Sequence, residues 1–600
     1  MKRLFFLILI AFRFSGVYSQ ETDWTTPYER SGGTETPRYR ETVDYLRRLA
    51  NASPMLTFSS FGKSAQGLDL PMLVVDREGL GEPFAIHAAG RSVLLLQACI
   101  HPGESEGKDA GMMFIRDLVK PEFVGSSPLS LSLLNNVSIL FIPILNVDGH
   151  ERFGPYNRIN QNGPKEMGWR VTSNNLNLNR DFLKADTPEV IALLKLFNEW
   201  MPDFFIDCHT TDGADYQYVL TYLMEIYGDM DARLTSWSRD VFLPQLQKSM
   251  DNAGFPVFPY VDFRRWHDPR SGLITEVAPP MLSQGYFSLR NRPGLLIETH
   301  MLKPYRERVR ATYECIKISM EILDRENTHL QGLIRQADEF CSSPAFLQAP
   351  FPLQFETIET DSNIVDFKGF EYTVEKSPVS GGDWFRYSHN PVIFKLPYFY
   401  KTRPVVTAKL PCAYIIPAEW KSVIERLQIH GIQMKFLQKG VALKVTSSRF
   451  RSPRWQQNPY EGRHPMTNIE YDEFSETRWF PAGSAVVEAT QQSARIIPHI
   501  LEPKGNGSYV YWGFFDAVFE QKEYAESYVL EQLAEKMCRE NPALMKELDE
   551  KKVSDTTFSR NPMLILNWFY NKSPYADQRR NVYPVAKIYE RSVLDGLLKD

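Results

Sequence analysis

His101-Pro102-Gly103-Glu104 sets an imidazole and a carboxylate three residues apart, directly after the apolar run Ser92-Val-Leu-Leu-Leu-Gln-Ala-Cys99. The run is short, rich in Leu and Val, and followed by Pro-Gly, which predicts a buried strand ending in a tight loop. On such a loop both side chains can turn inward on one divalent cation. Ring nitrogen and carboxylate oxygen together suit zinc, and a catalytic zinc site needs a third protein ligand and an open position for water. The tetrapeptide alone proves little. With 11 His in the chain, chance matches arise, and His499-Ile-Leu-Glu502 is one that reads as structural.

The order of polar residues at strand ends carries more weight. His209 closes the apolar segment Phe204-Phe-Ile-Asp-Cys-His209, and Glu298 sits in Gly294-Leu-Leu-Ile-Glu-Thr-His300. Asn179-Arg180-Asp181 lies on the loop before a helix that Thr187-Pro188-Glu189 should open. In an open α/β sheet, ligands gather beyond the carboxyl ends of strands. Two His and one Glu make an open three-ligand zinc site, and a second, non-ligating Glu can take a proton from the metal-bound water. A buried carboxylate such as Glu298 needs a partner, which a metal site provides.

The elements that must hold these residues follow from periodicity. Strands are predicted over 92–99, 137–145, 202–208 and 294–299, and helices over 37–52, 105–119, 187–200, 231–253 and 303–341. Alternation of this kind implies an α/β fold, a mixed twisted sheet flanked by helices on both faces. Residues 342–352 read as a linker. Beyond it the texture turns aromatic and β-branched, with strands expected over 361–374, 392–399 and 405–416 and helices over 417–430 and 521–541. The division expected is a leader over 1–19, a catalytic domain over 20–345 and an α+β or mostly β accessory domain over 346–600.

Six hundred residues are too many for one ordinary core. An apolar fraction of 43% and a charged fraction of 24% describe a soluble globular chain. A net charge of −5 gives no reason to expect nucleic acid or an anionic membrane as partner. Six scattered cysteines without a CxxC pair form neither a disulfide framework nor a metal site. Lys2-Arg3, the apolar stretch 4–12 and Val17-Tyr18-Ser19 before Gln20 read as an export signal. That stretch is too short for the roughly 20 residues a membrane span needs. The expected product is an exported, periplasmic or secreted protein with no membrane span. Its oligomeric state is not readable.

The chain resembles the zinc metallocarboxypeptidases of the carboxypeptidase A-like (funnelin) family. Gly62-Lys-Ser-Ala-Gln-Gly67, His101-x-x-Glu104, Asn146-Val-Asp-Gly149, Gly168-Trp-Arg170, Asn179-Arg180, His209 and Glu298 stand in the family's order, across about residues 37–325. The resemblance implies one zinc per chain on His101, Glu104 and His209. It makes Glu298 general base toward the water and then general acid toward the leaving amine. Arg170 would face the developing oxyanion, and Asn179 and Arg180 would hold the terminal carboxylate of a peptide substrate. Three features depart from the pattern, one being residues 262–292, which should line the side-chain pocket but offer no readable preference. The Asp that often supports the first zinc His is here Asn177, whose amide oxygen can accept the same N–H; Asp207, two residues before His209 on its strand face, could substitute. The family's substrate-capping Tyr has Tyr286 as its nearest candidate. The expected reaction is hydrolysis of C-terminal peptide bonds. The alternatives are an amidase on cell-wall peptides or N-acyl amino acids, and a non-catalytic binding protein that keeps the fold.

Overall fold

A strand with no polar alternation must be covered on both faces, and Ser92–Gln97 is buried along its whole length. The structure, a computed structural model, describes residues 23–120, 129–211 and 213–599. The leader expected over 1–19 lies outside them. Before residue 345 the strands are β1 (Leu56–Lys63), β2 (Asp69–Val75), β3 (Ser92–Gln97), β4 (Val137–Ile142), β5 (Phe204–Thr211), β6 (Leu220–Met224), β7 (Val257–Pro259), β8 (Asp262–Phe263), β9 (Leu273–Ile274) and β10 (Gly294–His300). All but β8 and β9 form one sheet in the order β1-β2-β4-β3-β5-β10-β6-β7. Its centre, β4, β3, β5 and β10, is parallel, with β2 and β6 antiparallel beside it. This is the mixed, helix-flanked sheet expected.

Alternation along the strands assigns the faces. Leu94, Leu96, Ile206, Cys208, Leu295 and Ile297 join a core built with the helices Glu106–Val119, Leu243–Asn252 and Tyr305–Cys341. The first of these presses unusually close to the sheet. A Cβ on Gly107 would lie 2.3 Å from Cys208 Cβ, and one on Gly111 2.6 Å from the Phe141 ring. Val93, Leu95 and Phe205 face the other way, toward the helices Pro188–Trp200 and Ser283–Leu289. Asp207 and His209 share the parity of Phe205, so they open on that second face. The helix expected over 231–253 is instead Ala232–Trp237 and Leu243–Asn252, joined by one π turn at Ser238–Phe242.

Beyond 346 the chain is sheet-rich with added helices. A six-stranded sheet carries the long hairpin Val441–Trp455 and Met466–Phe480, which periodicity did not predict. Buried and exposed positions alternate only in part, with Ser447 and Ser448 buried side by side and Trp455 and Trp479 exposed, so the sequence carries no clean period of two. The single strand expected over 405–416 is two, Thr402–Ala408 and Ala413–Ile416, in different sheets.

This region shares a core with the N-terminal half. Tyr414, Ile416, Ile496, Ile500 and Tyr509 pack in one cluster with Leu178, Phe182, Leu194, Tyr286 and Phe287. The second face of the central sheet is thus covered by both halves of the chain. Strand pairing joins them as well, since Leu273–Ile274 runs parallel to the end of Asp383–Phe399. The expected linker contributes Phe346 and Phe351 to a smaller core cluster. All six cysteines are free thiols. No helix of the described residues is long and apolar enough to cross a membrane.

Candidate active site

The loop after β3 is shaped before any ligand is considered. Cys99 takes a left-handed φ of 56° and turns the chain out of the strand. Backbone bonds from Leu145 N–H to Ala98 O and from Asn146 N–H to Cys99 O tie the loop to the end of β4. At Gly103 a Cβ would sit 2.8 Å from Arg158 Cγ and 3.1 Å from Gly168 O, so only glycine fits. Glu104 N–H then donates to His101 O at 2.9 Å, and the helix Glu106–Val119 follows. The Gly62–Gly67 motif and Asn146–Gly149 meet at Asp148, which accepts from Ser64 Oγ at 2.5 Å, Gln66 N at 3.1 Å and Ser173 Oγ at 2.8 Å. Asp148 therefore fastens the loops around the cleft to one another.

His101, Glu104 and His209 converge, all three buried. Nδ1 of His101 lies 3.2 Å from Glu104 Oε2, Nδ1 of His209 lies 3.1 Å from the same oxygen, and the two ring nitrogens are 3.3 Å apart. The outward nitrogens have separate partners. Asn177 Oδ1 accepts Asn179 N–H at 2.9 Å, which identifies it as the oxygen, and His101 Nε2 donates to it at 3.0 Å. His209 Nε2 lies 2.9 Å from Asp207 Oδ2, an ion-pair contact off the hydrogen-bond line. Asp207 thus serves His209, while Asn177 serves His101. Asp207 is itself held by Gln97 Nε2 at 3.0 Å and Ser283 Oγ at 2.7 Å.

Two arginines stand on the far oxygen of Glu104. Arg158 Nη1 is 2.8 Å from Oε1 and Arg170 Nη1 3.3 Å. The Arg170 side chain is half exposed. Arg158 was not expected. It lies in an irregular stretch with no strand or helix pattern to mark it, and only the glycine at 103, which makes room for it, hints at its place.

Electrostatics orders the cluster. Burial pushes the His101 ring down to about 4, so it is neutral with its lone pair on Nδ1. Burial alone would raise the Glu104 carboxyl, but the carboxyl stays well below the usual carboxylate range, with the Arg158 guanidinium 2.8 Å away among the groups that hold it there. Burial also opposes charge on His209, yet the Asp207 carboxylate holds that ring well above its ordinary value.

Glu298 pairs in register with His209 across the parallel β5–β10 ladder. Directly opposite residues in a sheet point to the same face, so its carboxylate neighbours the His209 ring. Asn179 is buried, with Oδ1 accepting Ser283 N–H at 2.8 Å. Arg180 is half-buried and donates through Nη1 to Asn179 O at 2.7 Å. Tyr286 does not belong to the site. It lies in the helix Ser283–Leu289, fully buried, with its hydroxyl 2.9 Å from His430 Nδ1. A side chain enclosed in the shared core cannot swing over a substrate. His300 is likewise packed, accepting Tyr216 N–H at 3.3 Å, with its ring tilted 44° against the Tyr216 ring at a centroid distance of 4.1 Å.

Residues 42–223 match the family model described as zinc carboxypeptidase. The segment that carries His101, Glu104 and His209 is thus similar to the zinc carboxypeptidases. Among curated relatives of this family, Carboxypeptidase 2 of Trichophyton rubrum is 23% identical over 504 residues, covering 80% of this chain and 85% of its own. Human Carboxypeptidase D is 29% identical over 169 residues, 27% of this chain and 11% of its own. Of solved structures, carboxypeptidase A from Helicoverpa armigera aligns with a TM-score of 0.37 at 14% identity, covering 49% of this chain and 74% of its own.

The residues present fit the family's metal. Ligand atoms about 2.0–2.1 Å from a tetrahedral zinc stand roughly 3.3 Å from one another, the spacing found here. Two inward ring nitrogens and an anionic oxygen this close repel unless a cation or a proton lies between them. Asp207→Asn keeps the shape but removes the charge behind His209. Such partners are worth about 10–100-fold in metal affinity. Zinc binding by the variant, followed by competition with a chromophoric chelator, is expected to weaken by that factor, and an unchanged affinity would show that Asp207 only orders the strand.

Proposed function

We propose that this chain is an exported zinc carboxypeptidase that removes the C-terminal residue of peptides, with a mature form starting near Gln20, a catalytic domain to about 345 and an accessory region after it. The observation that carries the reading is the alignment of His101, Glu104 and His209 on three convergent ligand atoms, with Glu298 in register beside His209. When bound there, zinc supplies Lewis-acid chemistry, making water more acidic and the scissile carbonyl more electrophilic.

The chain's own groups do the rest. Glu298 takes a proton from the attacking water and passes it to the departing amine, so that a free acid and an amine leave. Arg170, beside Glu104 and open to the cleft, offers N–H donors where negative charge builds on the carbonyl oxygen. Asn179 and Arg180 hold the terminal carboxylate and set the cut one residue from the end. Export rests on the leader-like pattern of residues 1–19.

The test is zinc content by elemental analysis together with amino-acid release from a mixed peptide library and from the same library amidated at its C-termini. About one zinc per chain, with release from the free acids and little from the amides, is the expected result. Zinc without release from either, but with cleavage of muropeptides, would make the chain an amidase. Absence of zinc would remove the site.

A further inference from the structure

The loop between the strands Val441–Trp455 and Met466–Phe480 reaches back to the segment that carries Arg180. Its tip is a tight turn. Tyr460 and Arg463 exchange backbone bonds at 2.8 and 3.1 Å, and the two residues between them, Glu461 and Gly462, have φ of 49° and 76°. Positive φ at both positions is the geometry of the two-residue turn most compatible with strand twist. The turn is anchored from both ends. Arg463 grips Asp186 with two bonds of 2.8 Å, and the Tyr460 ring lies parallel to Trp512 at 6.0 Å.

From this base two groups touch the segment that carries Asn179 and Arg180. The Tyr460 hydroxyl accepts Arg180 Nε–H at 3.1 Å, and Glu461 Oε2 accepts Asn177 N–H at 2.9 Å. With Nη1 donating to Asn179 O, the Arg180 guanidinium is held on two edges, which sets the plane of its fork. An unheld arginine would have to give up its rotamer freedom each time a substrate bound, and weaker binding would follow.

We propose that Tyr460, a residue of the C-terminal region, is a positioning residue for recognition of the substrate's terminal carboxylate. It acts through Arg180, with Glu461 fixing the backbone from which Arg180 springs. The proposal rests on the carboxypeptidase reading above, because it assigns to Arg180 the carboxylate that reading requires.

Tyr460→Phe keeps the ring on Trp512 and removes only the hydroxyl, so the turn and the fold are retained. With an N-acylated dipeptide as substrate, KM is expected to rise about tenfold while kcat moves less than twofold, the size expected for one bond to a charged group. The preference for the free acid over its C-terminal amide should narrow by the same factor. On an Arg180→Gln background the second substitution should add nothing, because the two act as a unit. A wild-type KM for Tyr460→Phe, a loss confined to kcat, or full additivity with Arg180→Gln would overturn the proposal and leave the carboxypeptidase reading standing. If the unmodified enzyme releases no C-terminal residue from any free-acid peptide, that reading fails first and takes the proposal with it.

Discussion

Glu298→Gln is expected to lower kcat on a free-acid peptide by about 10³-fold, within the range a positioned general base supplies, while zinc content and substrate affinity stay at wild-type values. The reason lies in register. Glu298 is bound into β10 between His209 on one side and Thr221 on the other, and Thr221 Oγ1 donates to its backbone oxygen at 3.2 Å. Glutamine has the same length and shape, so neither the strand nor its neighbours must move. What changes is the ability to accept a proton from water and return it to an amine. Single-turnover release with a chromogenic dipeptide, with zinc measured on the same sample, separates the two contributions. A fall of less than tenfold would mean that another group moves the proton.

The second large effect concerns the whole molecule. A chain cut after Ser342 is expected to be insoluble or to lack a cooperative thermal transition, although it retains every residue proposed for catalysis. Leu178, Phe182, Leu194, Tyr286 and Phe287 are buried in a cluster completed by residues beyond 400. Fully exposing one such side chain costs about 1.5–3 kcal/mol, so even partial exposure of five takes a large share of the folding free energy of a typical domain. Polar groups lose partners too. Arg290 Nη1 donates to His430 O at 2.9 Å, Asn198 Nδ2 to Ile429 O at 2.8 Å, and Asp186 is held by Arg426 and Arg463. Far-UV circular dichroism and a melting curve on the truncated protein decide the matter. A sharp transition would show that the catalytic half closes its own core.

The contrast between these two predictions shows what was legible in the amino-acid sequence. His101, Glu104, His209 and Glu298 stand at or within short apolar runs, and parallel strands buried on both faces leave just such runs. The chemistry therefore announces itself as the polar residue that interrupts them. Arg158 has no such frame. It lies between residues 152 and 168, where Pro, Gly and Asn impose no period, and its approach to Glu104 depends on a glycine 55 residues upstream whose missing Cβ makes room. Tyr286 misleads for the opposite reason. Ser283-Gln-Gly-Tyr286 has the composition of a mobile loop, but the Ser283–Leu289 segment is a helix enclosed by a region more than a hundred residues away. The reach of Tyr460 to Arg180 spans 280 residues, a pairing that no local pattern encodes.

The same long reach bears on the order of events during synthesis. The ligand loop and Arg180 leave the ribosome early, while the turn that holds Arg180 lies 280 residues later. At about 5–20 residues per second, that interval is of the order of tens of seconds. For that time the nascent chain carries its metal ligands without the fastening that orders Arg180 or the strands that complete its core. Until the last third of the polypeptide is made, the loops around the cleft lack both the contact that holds Arg180 and part of the core that backs them.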